Sequence, residues 1–123
     1  MTFFSGGTDT TSHFQQMTIY YLAVDERIQK RLREQIDQHI KSDEDITAEN
    51  LKKIVYLDWV MNETTRYYGP GNGIFMRKVI KEHHLATMPI SKDVVFMTQP
   101  MGSHYNERFY KDPQEFRPER WEN

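Results

Sequence analysis

From Thr2 to Val24 the residues Phe3, Gly7, Thr10, Phe14, Met17 and Tyr21 recur at three- and four-residue spacing. That period predicts one long helix with a single buried face. Gly6 and Gly7 fall inside the pattern. A glycine in a helix interior costs about 1 kcal/mol relative to alanine, so either the helix starts after them or something needs close access to the backbone there. Asp25 can cap a second helix running to about Ile40, whose narrow stripe of Ile28, Leu32, Ile36 and Ile40 is set among charged and amide residues, as on a surface helix. Lys41 to Asp45 is a polar linker. Thr47 can cap a third helix reaching Lys53, with Glu49 in its first turn and Leu51, Ile54 and Val55 as its buried side.

The pattern changes between Tyr56 and Tyr68, where Leu57, Trp59, Val60, Met61, Tyr67 and Tyr68 surround most of a helix and leave a polar strip of Asp58, Asn62 and Thr65. Such a helix is buried on most sides. Gly69-Pro70-Gly71-Asn72-Gly73 stops it with a turn. Short strands are predicted at Ile74 to Val79, near His84 to Thr87, and at Val94 to Thr98 after the turn Ser91-Lys92-Asp93. From Pro100 onward the chain reads as irregular, divided by Pro113 and Pro118. The expected class is mainly α with a small β-sheet portion.

Composition narrows this picture. The 123 residues suit one small domain, yet only 37% are apolar, against roughly 45–50% in ordinary domains. A domain of this length buries only about two-thirds of its unfolded surface, so so lean a core is a sign of truncation. The net charge of -2, with acids and bases interspersed, argues against a nucleic-acid partner and against an anionic membrane surface. No apolar run reaches the length of about 18 residues that a membrane-spanning helix needs, and the start lacks the basic region of a secretory signal. The chain has no cysteine, which excludes disulfides, zinc-thiolate sites and cysteine nucleophiles. Its five histidines include the adjacent pair His83-His84, but neighbours in a strand point to opposite faces, so no metal site is expected.

Three short motifs could carry chemistry. In Gly6-Gly7-Thr8-Asp9-Thr10-Thr11, Thr8 or Asp9 could simply cap a helix after a glycine loop. The alternative is that two side-chain-free positions let a flat group lie against a helix while Asp9 and Thr10 receive and pass protons beside it. In Glu63-Thr64-Thr65-Arg66, opposite charges three apart share one helical face, and pairs of that kind on a surface contribute roughly 0.2–0.5 kcal/mol. Here Trp59 and Val60 precede the acid by one turn and Tyr67 follows it, so the pair is expected among aromatic groups. A buried carboxylate with spare lone pairs calls for a further donor, and the fork of another arginine suits it. The third motif, Phe116-Arg117-Pro118-Glu119-Arg120-Trp121, is on its own an ordinary turn.

Together and in this order, the three motifs resemble the cytochrome P450 family, and the similarity extends over essentially the whole chain. The resemblance implies a partial cytochrome P450 fold and a haem-dependent monooxygenase that inserts one atom of dioxygen into a small organic substrate, with electrons from an NAD(P)H-dependent reductase. On it, Gly6 and Gly7 lie where the family's central helix crosses the haem face, and Asp9 and Thr10 match the acid and alcohol that manage proton delivery. Glu63, Arg66 and Arg120 match a buried structural charge triad, and Arg77 stands where the family presents a base to a haem propionate, close to a substrate-facing position at Ile74. The stretch Gly71-Asn72-Gly73 is longer and richer in glycine than the family's usual proline-bearing link, and Gly6 stands where alanine is common. The family's iron ligand is a cysteine thiolate; none occurs here, so the resemblance implies that the 123 residues alone turn over no substrate. It further implies that the first half of the fold and the cysteine loop lie outside this chain, in a parent protein anchored to the endoplasmic reticulum membrane by an N-terminal helix. The competing expectation is a non-catalytic remnant or interaction module, made sticky by exposed faces of Trp59 and Tyr67.

Overall fold

The computed structural model describes residues 2–70 and 75–122. The long helix α1 runs Thr2–Val24, and α2 follows at Glu26–His39 after a single residue. That residue, Asp25, is the cap: its carboxylate accepts from the backbone N–H groups of Arg27 and Ile28, which no helical carbonyl can satisfy. A one-turn α3 spans Ala48–Leu51, capped by Thr47 through the Asn50 N–H, and α4 spans Val55–Tyr68.

The core lies where these helices meet. Ile28 and Leu32 of α2 pack against Ile54, Tyr56 and Val60, with Leu22, Ile36, Ile40, Leu57, Trp59 and Phe116 partly buried around them. The predicted α2 stripe is therefore the face that enters the core. The third helix differs from expectation. It ends at Leu51, and of its predicted buried side only Ile54 is covered, while Leu51 and Val55 are exposed. Four residues make barely one turn, too short to present a continuous face. Along α4 the strip Asp58, Asn62 and Thr65 is exposed as predicted, but so are Met61 and Tyr68.

On α1 the expected single buried face is present only in part. Phe14, Met17 and Tyr21 are half-buried, whereas Gly7 and Thr10 are exposed and Phe4 is 82% exposed. The C-terminal half of the helix docks, with the Tyr21 ring edge-on to Tyr67 of α4 at 5.4 Å and stacked on Phe116 at 4.2 Å. The N-terminal half stands clear of this core.

Four short strands follow, as two antiparallel pairs. Strand β1 (Phe75–Lys78) pairs with β4 (Val95–Thr98), setting Arg77 opposite Phe96, and β2 (His83–Leu85) pairs with β3 (Met88–Ile90). The second predicted strand is thus a hairpin: it starts at His83 and stops at Leu85, and Thr87 belongs to the turn before β3, which sequence reading did not separate. Ala86 turns that corner at φ 52, and Asp93 at φ 70 turns the one before β4. The predicted turn at 71–73 and Ile74 lie outside the described residues. Gly69 shows why a glycine ends α4, since a Cβ there would come within 2.5 Å of the Thr65 carbonyl oxygen.

The last segment, expected to be irregular, holds a one-turn α5 (Met101–His104) and a 3-10 turn at Pro118–Trp121. Pro118 starts that turn, where its missing N–H is harmless.

Candidate functional site

Helix α4 places Glu63 and Arg66 one turn apart on its buried face, and the 3-10 turn brings Arg120 and Trp121 against them. Glu63 Oε1 accepts from Arg66 Nη2 at 2.9 Å, Arg120 Nε at 2.8 Å and the Arg117 backbone N–H at 2.8 Å. Its Oε2 accepts from Arg66 Nε at 2.9 Å and Trp121 Nε1 at 3.1 Å. Glu63 is fully buried. Burial pushes its carboxyl pKa up, but the bonds from Arg66, Arg117 and Arg120 outweigh that and hold it below the ordinary carboxylate value.

The remaining guanidinium protons explain how an irregular segment is held. Arg66 Nη1 donates to the carbonyls of His104 at 2.7 Å and Pro113 at 3.0 Å, and Nη2 to Glu115 at 3.1 Å. Arg120 donates to the carbonyls of Lys111, Asp112 and Glu115. Loop carbonyls near a core have no ladder to satisfy them, and buried arginines supply the donors instead. The rings of Tyr67 and Tyr110 flank the Arg66 guanidinium at 5.3 and 5.2 Å. The three charged residues named from the sequence are therefore in direct contact.

A second carboxylate was not singled out. Glu119 Oε1 accepts from Tyr56 Oη at 2.8 Å, Arg27 Nη1 at 2.8 Å and Arg31 Nη1 at 3.1 Å. Burial pushes the Glu119 carboxyl up and these partners, led by Tyr56, hold it lower on balance; the same contact and burial push the Tyr56 hydroxyl up. Neighbours in the 3-10 turn thus reach different partners, Arg120 the Glu63 carboxylate of α4 and Glu119 a junction of α2, through Arg27 and Arg31, with the start of α4, through Tyr56. Sequence offered one signal, the arginines Arg27 and Arg31 one helical turn apart, but nothing local shows which acid they meet.

The other named residues lie on α1 and β1. The helix continues unbroken through Gly6 and Gly7, so the reading of Thr8 or Asp9 as a cap does not hold; both are interior positions. A Cβ at Gly6 or Gly7 would meet nothing within 4 Å. Thr10 Oγ1 donates to the Gly6 carbonyl at 2.6 Å, and Asp9 and Thr10 are exposed. Arg77 is exposed on β1 and donates through Nη1 to the Met76 carbonyl at 2.9 Å.

The model of the family described as Cytochrome P450 matches residues 1–123. The chain belongs to the cytochrome P450 family. It is 31% identical to mouse cytochrome P450 4V2 over 98% of its own length and 23% of that protein, and 34% identical to mouse cytochrome P450 3A41 over 97% and 23%. It superimposes on the retinoic acid bound cyanobacterial CYP120A1 with a TM-score of 0.85 at 27% identity, covering 95% of this chain and 26% of that one. The chain thus spans about a quarter of the length of these relatives. Its helices and two strand pairs form part of the cytochrome P450 fold, mainly α with a small β portion.

Members of this family are haem monooxygenases, so the residues present can be tested for fit to that group. The α1 face leaves room for a flat group: among the described residues nothing lies within 4 Å of a Cβ built at Gly6 or Gly7, and the neighbouring Thr10 is exposed. The axial thiolate is not supplied by this chain, which has no cysteine. Among the described residues no group of three or more His, Asp or Glu side chains is arranged to hold a metal ion. None of the described helices is long and apolar enough to cross a membrane.

Proposed function

We propose that these residues form the haem-facing centre and the buried charge triad of a haem-dependent monooxygenase that inserts one atom of dioxygen into a small organic substrate. The observation that carries this reading is the unbroken course of α1 through Gly6 and Gly7 with open space over both. Each glycine weakens the helix by about 1 kcal/mol relative to alanine, and among the described residues nothing packs within 4 Å of either position. A flat group lying on the helix would.

In this reading Gly6 and Gly7 admit the haem plane and Arg77 holds a propionate. The haem, when bound, would supply the oxygen chemistry. The chain's own part is proton handling. A threonine hydroxyl has one proton and two lone pairs, so while Thr10 Oγ1 donates to the Gly6 carbonyl it can accept from a water. Rotation about χ1 turns the same proton outward. Asp9, the preceding residue and exposed, exchanges protons with solvent and relays them to Thr10. The electrons come from an NAD(P)H-dependent reductase, and the same reading puts the protein at the endoplasmic reticulum membrane, held by a helix upstream of these residues.

Thr10→Ala in the complete enzyme tests the assignment. Product formed per dioxygen consumed is expected to fall about a hundredfold or more, the lower end of what positioned proton transfer contributes, with dioxygen consumption continuing. Unchanged coupling would remove Thr10 from the mechanism.

A further inference from the structure

We propose that His13 is a positioning residue of this site: it caps α4 from α1 and thereby sets the rotation of the helix that carries Thr10. This rests on the proton-handling role assigned to Thr10. His13 Nε2 lies 3.1 Å from the Tyr68 carbonyl oxygen, with the two rings 5.7 Å apart and tilted by 35°. A carbonyl only accepts, so Nε2 carries the hydrogen and the tautomer is decided by the contact. Tyr68 is the last residue of α4, where carbonyls lack intrahelical partners and the helix dipole favours a donor.

Both sides of this bond are held. The next residue, Gly69, packs so closely on Thr65 that a Cβ would clash, and its N–H bonds the Thr65 carbonyl at 3.1 Å, which fixes the peptide that presents the Tyr68 oxygen. On α1, His13 follows Thr10 by three residues, so the two share a face at a separation of about 5–6 Å between Cβ atoms.

The other ties between α1 and α4 do not set rotation in the same way. Thr18 Oγ1 and Thr64 Oγ1 approach only to 3.5 Å, and each hydroxyl proton is already directed at its own helix, to Phe14 and Val60 at 2.8 Å. Tyr21 and Tyr67 meet ring edge to face, a contact that tolerates sliding. Among the described contacts between α1 and α4, His13 to Tyr68 is a directional hydrogen bond one turn from Thr10. Turning α1 about its axis moves the Thr10 hydroxyl sideways, so loss of the bond misplaces the proton donor without touching it.

The test compares His13→Leu, which fills similar space without a donor, with His13→Gln, whose amide N–H can reach the same carbonyl, in the complete enzyme. Coupling is a ratio of product to dioxygen and is independent of the amount of folded protein. It is expected to fall roughly two- to tenfold in His13→Leu, the effect of one lost hydrogen bond, with substrate KM unchanged, and to recover in His13→Gln. A second readout needs no turnover: hydrogen exchange at the Gly69 amide should accelerate in His13→Leu and not in His13→Gln. Full coupling in His13→Leu alongside an uncoupled Thr10→Ala overturns this inference alone. Equal losses in both His13 variants overturn the hydrogen-bond assignment, and full coupling in Thr10→Ala overturns both readings.

Discussion

The buried carboxylate on α4 and the glycine face on α1 belong to one small structure and are built on opposite terms. Glu63 is fully enclosed and both its oxygens are satisfied by side chains and backbone of this chain. Gly6, Gly7 and Thr10 are exposed, and the nearest hydrogen bond of Thr10 is to its own helix. The first arrangement is complete within these residues; the second is open among them, as the haem-facing role proposed for it requires. Structural chemistry can be closed by the chain that contains it, whereas a site for a cofactor has to be left open by it.

That contrast can be broken most directly at Glu63. In Glu63→Leu the guanidiniums of Arg66 and Arg120, at 1% and 7% side-chain exposure, lose their counter-charge, and a buried charge left unpaired costs roughly 3–5 kcal/mol. The urea midpoint of the complete protein is expected to collapse. A shift of less than about 1 kcal/mol would mean that the triad behaves as a surface pair.

Acid tests the same hub more gently. The Glu63 and Glu119 carboxyls sit below their ordinary values when folded, so the stability they contribute is fully present above the unfolded carboxylate pKa of about 4.3. It is lost as pH falls through the depressed folded values. Urea midpoints should therefore hold from neutral pH down to about 5 and drop below about 4. A midpoint that rises on acidification would reverse the sign assigned here.

The smallest effect sharpens the other side of the comparison. Gly7→Ala should raise the helicity of the 123-residue chain, by up to about 1 kcal/mol of helix stability, because the added Cβ meets nothing. The same substitution in the complete enzyme should weaken haem retention. Equal, favourable effects in both would show that the face is simply solvent-exposed helix.

Much of the local structure was legible in the residue pattern. The three long helices, the Asp25 and Thr47 caps and the shared face of Glu63 and Arg66 follow from 3.6-residue periodicity and from side chains that satisfy N–H groups a few positions away. These are short-range interactions, determined wherever the sequence goes. The family resemblance followed from the spacing of three motifs.

What tertiary structure decided is which distant groups meet. Leu51 and Val55 have the same apolar character as Ile54, yet only Ile54 is covered, because the path of the chain after α3 brings α2 to one side alone. Strand β2 is exposed throughout and β3 buries only Ile90, so nothing periodic marked the turn between Leu85 and Met88. The acid that Arg27 and Arg31 share lies 92 and 88 residues away, while Arg27 also reaches the local Asp25 at 3.4 Å. The sequence by itself determined the helices, their caps and the charges to be buried. Only the fold decided that Glu119 would meet both α2 and Tyr56 of α4, that Trp121 would reach Glu63 and that His13 would find the end of α4, since a hydrogen bond between remote residues depends on where the intervening backbone delivers them and not on either residue's own preference.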